Sequence, residues 1–215
     1  MNIAVMGATT LTGNAIMRQG TQTGNQMTAI DDDADKAIQL FGQTTPLIAG
    51  DPMELIKEQL EHFDVIIDAY LPKPEQAYRQ VDLATKLVAM FRETHAPKLI
   101  FILGANSLLT GHRYEHLLMQ DLKNVPMMNP YLPLFNEQLN EYLFLRTIKD
   151  VNWLGISPAI DVYEGPVTKY QVGANHVLRN SAGQSRISYA TLGKAVIDEV
   201  EKPAHHMARF TVAEE

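Results

Sequence analysis

The strongest constraint on this chain lies in its first thirteen residues, MNIAVMGATTLTG. A short apolar run, Ile3 to Met6, breaks into a turn holding Gly7 and Gly13, and an amphipathic segment follows with Leu11, Ala15 and Ile16 apolar and Asn14 and Arg18 polar. Strand, tight turn and helix in that order leave the first amides of the helix without carbonyl partners and aim them past the strand end, where a phosphate is well received. Gly7 and Gly13 fit the first and last glycine positions of a dinucleotide-binding βαβ unit. The middle position, where the backbone passes closest to a pyrophosphate, holds Thr10, so a Cβ and a hydroxyl stand where most such loops carry nothing.

Such a loop gains meaning from an acidic residue ~20 residues further on, at the tip of the second strand. Here a helix over 11–23, the turn Thr23-Gly24-Asn25 and a strand over Met27 to Ile30 lead into Asp31, Asp32 and Asp33. A carboxylate at that tip accepts both adenine-ribose hydroxyls and repels a 2′-phosphate. The loop carries Leu11, and Lys36 is the only cation near the tip. Like-charge juxtaposition is a specificity device, so NAD(H) is expected over NADP(H), with Asp31 on the ribose. An acidic cap from Asp33 or Asp35 on the segment Ala34 to Phe41 is the alternative use of these side chains.

The rest of the chain alternates strand and helix at βαβ spacing. Pro46 to Ala49 reads as a third short strand, and Gly50, Asp51 and Pro52 start a helix to Leu60. FDVIIDA, Phe63 to Ala69, is a continuous apolar run of the kind found in parallel strands covered on both faces. A helix over Pro74 to Thr94, a strand over Lys98 to Leu103, a helix over Asn136 to Lys149 and a strand over Trp153 to Ser157 follow. The fold class is therefore α/β: a doubly wound, Rossmann-like sheet of five or six parallel strands, with ligands over the strands' carboxyl ends. After Pro158, two short strands (167–173 and 185–188), a helix over Tyr189 to Lys202 and a strand over Ala208 to Val212 form a small substrate-side region, roughly 158–215. That region is too small to stand apart from a single domain spanning 1–215.

With 215 residues, 46 % of them hydrophobic, one core can remove roughly 70 % of the unfolded surface from water. Cysteine is absent, which excludes thiolate nucleophiles, thiolate metal sites and disulfides and fits a reducing compartment. The chain starts on a strand, and no apolar run approaches the ~18 residues of a membrane helix, so a cytoplasmic location is expected. The net charge is −7 and the basic residues are scattered. Neither nucleic acid nor an anionic membrane is an expected partner.

Taken together, these segments resemble the atypical short-chain dehydrogenase/reductase proteins, and within them a small group labelled NADH-flavin reductases by inference. The resemblance covers nearly the whole chain: GATTLTG, GDP at 50–52, FDVIIDA at 63–69, ILGANSLL at 102–109, WLGISPA at 153–159 and the tail SRISYATLGKAVIDEVEKPAHHMARFTV at 185–212. It implies that Gly7, Thr9, Thr10, Leu11, Thr12 and Gly13 surround a pyrophosphate. It also implies Asp31 on the ribose, Asp51 and Pro52 near adenine, and Ala69 and Tyr70 beside the nicotinamide half, with Gly104 also counted among the cofactor contacts. Leu71, Ser107, Tyr131 and Pro158 would border the substrate.

The chain departs from the wider family in its acid–base pair. Many short-chain dehydrogenases use a Tyr with a Lys four residues later, the phenol protonating a carbonyl oxygen. No Tyr here has Lys at that spacing. The nearest approach is Tyr142 with Arg146, on an apolar helix, and the usual Lys position falls near Gln138. Carbonyl reduction loses its customary acid, whereas hydride transfer to a flavin or quinone-like planar acceptor needs only stacking at near-contact distance and exclusion of water. A non-catalytic dinucleotide sensor and a sugar-nucleotide epimerase or dehydratase relative are the alternatives; the missing Tyr and Lys and the short C-terminal region weigh against the latter.

Residues 104–135 are not explained by the nucleotide fold. This segment is longer than connections usually are and too apolar for disorder, so it is expected to cover the substrate, with a homodimer contact as its other use. Within it a short helix over Tyr114 to Leu122 is expected, and Ser107 is placed like the hydroxyl that related enzymes keep at this strand end. HRYEH, His112 to His116, has the spacing of one zinc-peptidase motif but sits in a glycine-punctuated loop, so no metal is expected and His116 is at most a polar ligand contact. Trp153 is expected in the core, and His205 and His206 on the surface.

Overall fold

The computed structural model describes residues 1–215. Its element order is β1 (Asn2–Met6), α1 (Leu11–Gln22), β2 (Gln26–Asp31), α2 (Ala34–Phe41), β3 (Leu47–Ala49), α3 (Lys57–Leu60), β4 (Val65–Asp68), α4 (Arg79–Met90) and β5 (Lys98–Ile102). Then come β6 (Leu109–Thr110), β7 (His116–Leu117), α5 (Leu118–Leu122), α6 (Leu132–Leu145), β8 (Trp153–Ser157), β9 (Asp161–Tyr163), β10 (Tyr170–Gly173), β11 (Arg186–Ser188), α7 (Tyr189–Glu201) and β12 (Ala208–Glu214).

Eight strands form the main sheet in the order β10-β12-β8-β5-β4-β1-β2-β3, all parallel except β10, which pairs antiparallel with β12 at one edge. The expectation of five or six parallel strands falls short because the tail contributes β12 to the sheet beside β8. The period of two along each strand sends alternate side chains to opposite faces. Ile3, Val5, Ile67, Ile100 and Ile156 join one buried cluster with Ile16, Leu192 and Val196 of α1 and α7. Ala4, Met6, Ile66, Phe101 and Trp153 join a second with Leu83, Leu87 and Val88 of α4 and Leu145 of α6. Trp153, 1 % exposed, is core as expected.

Several elements differ from expectation. The helix expected over 52–60 is a 3-10 turn, Pro52–Glu54, followed by the single turn of α3, and the long helix from Pro74 is a 3-10 turn, Pro74–Gln76, before α4. Tyr114 to Leu117 is not helical: Gly111 and Tyr114 take positive φ angles, and β6 and β7 pair as a small antiparallel ribbon. α6 begins at Leu132, with Pro133 in its first turn where a missing amide costs nothing. β9 and β11 pair with each other outside the main sheet.

Candidate active site

The sheet order reverses between β2 and β4 on either side of β1, and a ligand crevice is expected above that point. A cavity of about 680 Å³ opens there. Its wall takes Thr9 to Thr12 from the β1–α1 loop, Ala69 to Leu71 from the tip of β4, Ile102 to Asn106 from the tip of β5 and Pro158 to Ile160 from the tip of β8. Four tips of adjacent parallel strands thus converge on one space, of a size that holds small-molecule ligands.

The loop after β1 is built by close approach. Gly7 has φ +67°, and a Cβ on it would lie 2.7 Å from the Ala69 carbonyl oxygen; a Cβ on Gly13 would lie 2.1 Å from the Gly7 oxygen. Neither glycine lines the cavity itself; both let the backbone fold beneath it. The Thr10 hydroxyl lies within 2.8 Å of the Gly7 carbonyl, to which it donates, and accepts from the Gly13 amide at 2.9 Å. The side chain that looked like an obstruction is the N-cap of α1, folded under the loop. The amides of Leu11 and Thr12, in the first turn, have no preceding helical carbonyl to meet.

Asp31 is placed differently from expectation. Its carboxylate, 4 % exposed, accepts from the Thr9 amide at 2.8 Å, the Thr9 hydroxyl at 3.1 Å and the Asp33 amide at 3.1 Å. It braces the glycine loop from below and does not line the cavity. Lys36 does, and it is the only cation on the wall. Asp33 caps α2 by accepting from the Lys36 amide. Asp51 also lies off the wall, in an ion pair with Arg79, and accepts from the Met53 amide at 2.9 Å. Partial burial opposes its charge, but Arg79 and the Met53 amide outweigh that and hold its pKa below the ordinary carboxylate value. Arg79 lies over the Tyr70 ring at 5.6 Å, so one cation fixes both Asp51 and the aromatic at the β4 tip.

Ala69, Tyr70, Leu71, Gly104 and Pro158 all line the cavity, but three expected substrate contacts do not. Ser107 is 2 % exposed; its hydroxyl accepts from Arg209 Nη1 at 2.8 Å and lies 3.3 Å from the Gly104 carbonyl. Arg209 also donates to Asn175 Oδ1 at 2.9 Å and stacks on the Tyr142 ring at 4.0 Å, so this buried guanidinium ties the β5 tip to the tail. Tyr142 is therefore a structural partner of Arg209. His116 Nε2 is paired with Asp121 Oδ1 at 2.9 Å, and Glu115 of the HRYEH motif turns to the Arg113 amide at 2.7 Å. Tyr131 lies on the surface, and the 104–135 segment reaches the cavity through Leu118, Leu122, Met128 and Phe135 instead. That segment is anchored by a bridge from Leu109 to His176 and by Tyr114 stacked on His176 at 4.5 Å. His205, expected on the surface, is half-buried against Glu199 and the Phe210 ring.

Sequence reasoning passed over a buried carboxylate pair behind the wall. Asp68, at the tip of β4, accepts from the Tyr70 amide at 3.0 Å, and Glu141 of α6 accepts from Gln80 of α4 at 2.9 Å. Both acids are buried, and Asp68 Oδ2 and Glu141 Oε1 have no hydrogen-bond partner. Burial pushes the Asp68 pKa up to about 7 despite the Tyr70 amide. Burial and then the Asp68 charge push Glu141 well above the ordinary range. The signal was present in the D of FDVIIDA and the E of LNEYL, but only the tertiary packing that sets Glu141 against Gln80 and near the β4 tip brings the two acids into one buried region.

A largely parallel sheet with this loop and this crevice defines a Rossmann-like fold of the NAD(P)-binding type. No family model matches the chain. It is 31 % identical to the uncharacterised protein YwnB of Bacillus subtilis strain 168, over 100 % of this chain and 99 % of that protein. A crystal structure of a Lactobacillus casei protein superposes with a TM-score of 0.91 at 32 % identity, covering 100 % of this chain and 99 % of the other. A Streptococcus pneumoniae protein, an NADH-flavin reductase by inferred name, superposes with a TM-score of 0.89 at 28 % identity over 100 % of both chains. The chain belongs to one family with YwnB, and its fold is the Rossmann-like fold of the short-chain dehydrogenase/reductase proteins.

Proposed function

We propose that the protein is an NADH-dependent reductase that passes a hydride to a planar acceptor of the flavin or quinone kind. The observation that carries this is the single cavity joining the β1–α1 loop to an apolar chamber walled by Tyr70, Leu71, Pro158, Phe135 and the 104–135 segment. The amides of Leu11 and Thr12 would hold the pyrophosphate, with Thr10 Oγ1 already turned away beneath the loop. The acidic β2 tip, with Asp32 and Asp33 exposed, favours NADH over NADPH, against the lone Lys36. Asp31 acts by fixing Thr9. Bound NADH would supply the hydride and leave as NAD+, and solvent would supply the proton that completes the reduced acceptor.

The chain's residues need only position the two rings and exclude water, which is why no Tyr and Lys pair is required. Gln138, on the cavity wall where such a Lys would stand, carries no proton to give. That same absence supports a sensor as the second reading. The cytoplasm, where NADH is regenerated, is the compartment the reductase reading requires.

Calorimetric titration with NADH and NADPH, alongside NADH oxidation with riboflavin and menadione, tests the proposal. Tighter NADH binding and steady turnover with either acceptor are expected. Lys36→Ala should leave NADH affinity within about threefold, and Asp31→Ala should weaken it at least about tenfold by freeing the loop. Binding without oxidation would favour the sensor, and binding of neither dinucleotide would overturn both readings.

A further inference from the structure

The chamber is largely apolar, and one polar group on its wall is left unsatisfied. Asn106 is 2 % exposed and lines the cavity. Its Nδ2 donates to the Phe135 carbonyl at 2.5 Å, which fixes the amide, since turning it over would set two oxygens against each other. Asn106 Oδ1 has no hydrogen-bond partner. Beside it, a Cβ on Gly104 would lie 2.0 Å from Asn106 Oδ1 and 2.4 Å from Gln138 Oε1. Two side-chain amides thus crowd over the bare Cα of Gly104. Buried acceptors are costly to leave unmet, and because the Asn106 and Gln138 side chains themselves fill the space over Gly104, a ligand donor reaches Asn106 Oδ1 from the cavity once Gln138 turns aside.

We infer that Asn106 Oδ1, with Gln138 as its adjustable neighbour, is the polar recognition point of the acceptor chamber and takes a ring N–H. The inference rests on the reductase reading and narrows its acceptor to an imide-bearing planar ring, such as the N3–H edge of an isoalloxazine, over a quinone, which has no N–H. Asn106 is held rigidly by Phe135, whereas Gln138 makes no hydrogen bond within the protein and can turn aside to uncover it. The acceptor is favoured over the nicotinamide carboxamide as the donor because the Ala105–Ser107 turn packs against α5 and α6, the elements that bring Leu118, Leu122 and Phe135 to the wall. Glycine at 104 is required because a Cβ there would collide with both side-chain oxygens and displace Asn106.

The test is made on the ligand, so it does not depend on a variant folding. Fluorescence titrations of the wild-type protein with riboflavin and with 3-methylriboflavin, with and without NAD+, should show the methylated ring binding at least about tenfold more weakly. Asn106→Leu should bring the two rings to within about twofold of each other. Equal affinity of the two flavins for the wild type would overturn the inference. So would weak binding of both where NADH binds normally, an outcome that leaves the dinucleotide half of the proposed function standing. Weakened binding of the 3-acetylpyridine analogue of NADH, with no effect of flavin methylation, would assign the N–H to the cofactor and overturn the acceptor assignment. Failure of NADH to bind would overturn the parent reading, while the comparison of the two flavins still decides this one.

Discussion

Asp68 and Glu141 are the residues whose chemistry depends most on their surroundings. Two buried acids, each with one oxygen that no hydrogen bond meets, and with Arg79 paired to Asp51 instead, favour their protonated forms. The folded chain holds the Asp68 proton up to about pH 7, whereas the unfolded chain gives it up near about pH 4. A raised pKa of this kind contributes stability that is complete below the unfolded value and is lost as pH rises through the folded one. Melting temperature should therefore fall between about pH 5 and pH 8, and Glu141→Gln, which removes one of the two buried acids with a raised pKa, should reduce that fall by about half. A slope unchanged in the variant would show that the pair does not control it.

Among the elements, α1 and α7 bear most directly on the site. They pack side by side on one face of the sheet, and Gly193 of α7 is close enough that a Cβ would lie 2.7 Å from the Ala15 carbonyl oxygen of α1. Alanine gains about 1 kcal/mol over glycine in a helix interior, but overpacking costs about 1–3 kcal/mol, and here the obstacle is backbone that cannot rotate away. The second effect wins. Gly193→Ala is expected to lower the melting temperature by about 2–6 °C and to weaken NADH binding by displacing the first turn of α1, both readable by a thermal melt and a titration. An unchanged melting temperature would mean that the helices separate freely. The segment between β5 and α6 behaves differently: its small apolar cluster of Leu108, Leu118 and Val177 and its contacts to His176 pin it to the tail. Nothing in the local sequence of 104–135 indicates that anchor, because Val177 and His176 lie some forty residues beyond it.

At the scale of the whole molecule, a ligand bound across four strand tips couples both halves of the sheet. NADH at a hundredfold excess over its Kd should add about 2.7 kcal/mol of stability and raise the melting temperature by about 5–10 °C. A shift of that size with NADH and none with AMP would place the binding energy across the tips and not in the adenosine end alone. No helix is long and apolar enough to cross a membrane. The pattern of strands and helices, the glycine turn after β1 and the apolar runs of β4 and β5 were legible in the sequence because each is dictated locally. Period-two and helical hydrophobic spacing choose the element, and a positive φ or a close approach chooses glycine. The sequence by itself therefore determined a Rossmann-like parallel sheet and the loop at its switch point. Only the tertiary structure decided that Asp31 braces Thr9, that Ser107 belongs to Arg209, that Asn106 has an unpaired oxygen over Gly104, and that two acids meet behind Tyr70. Each of these depends on which side chains distant segments bring within about 3 Å, and hydrogen-bond partners and burial are properties of that packing, not of local spacing.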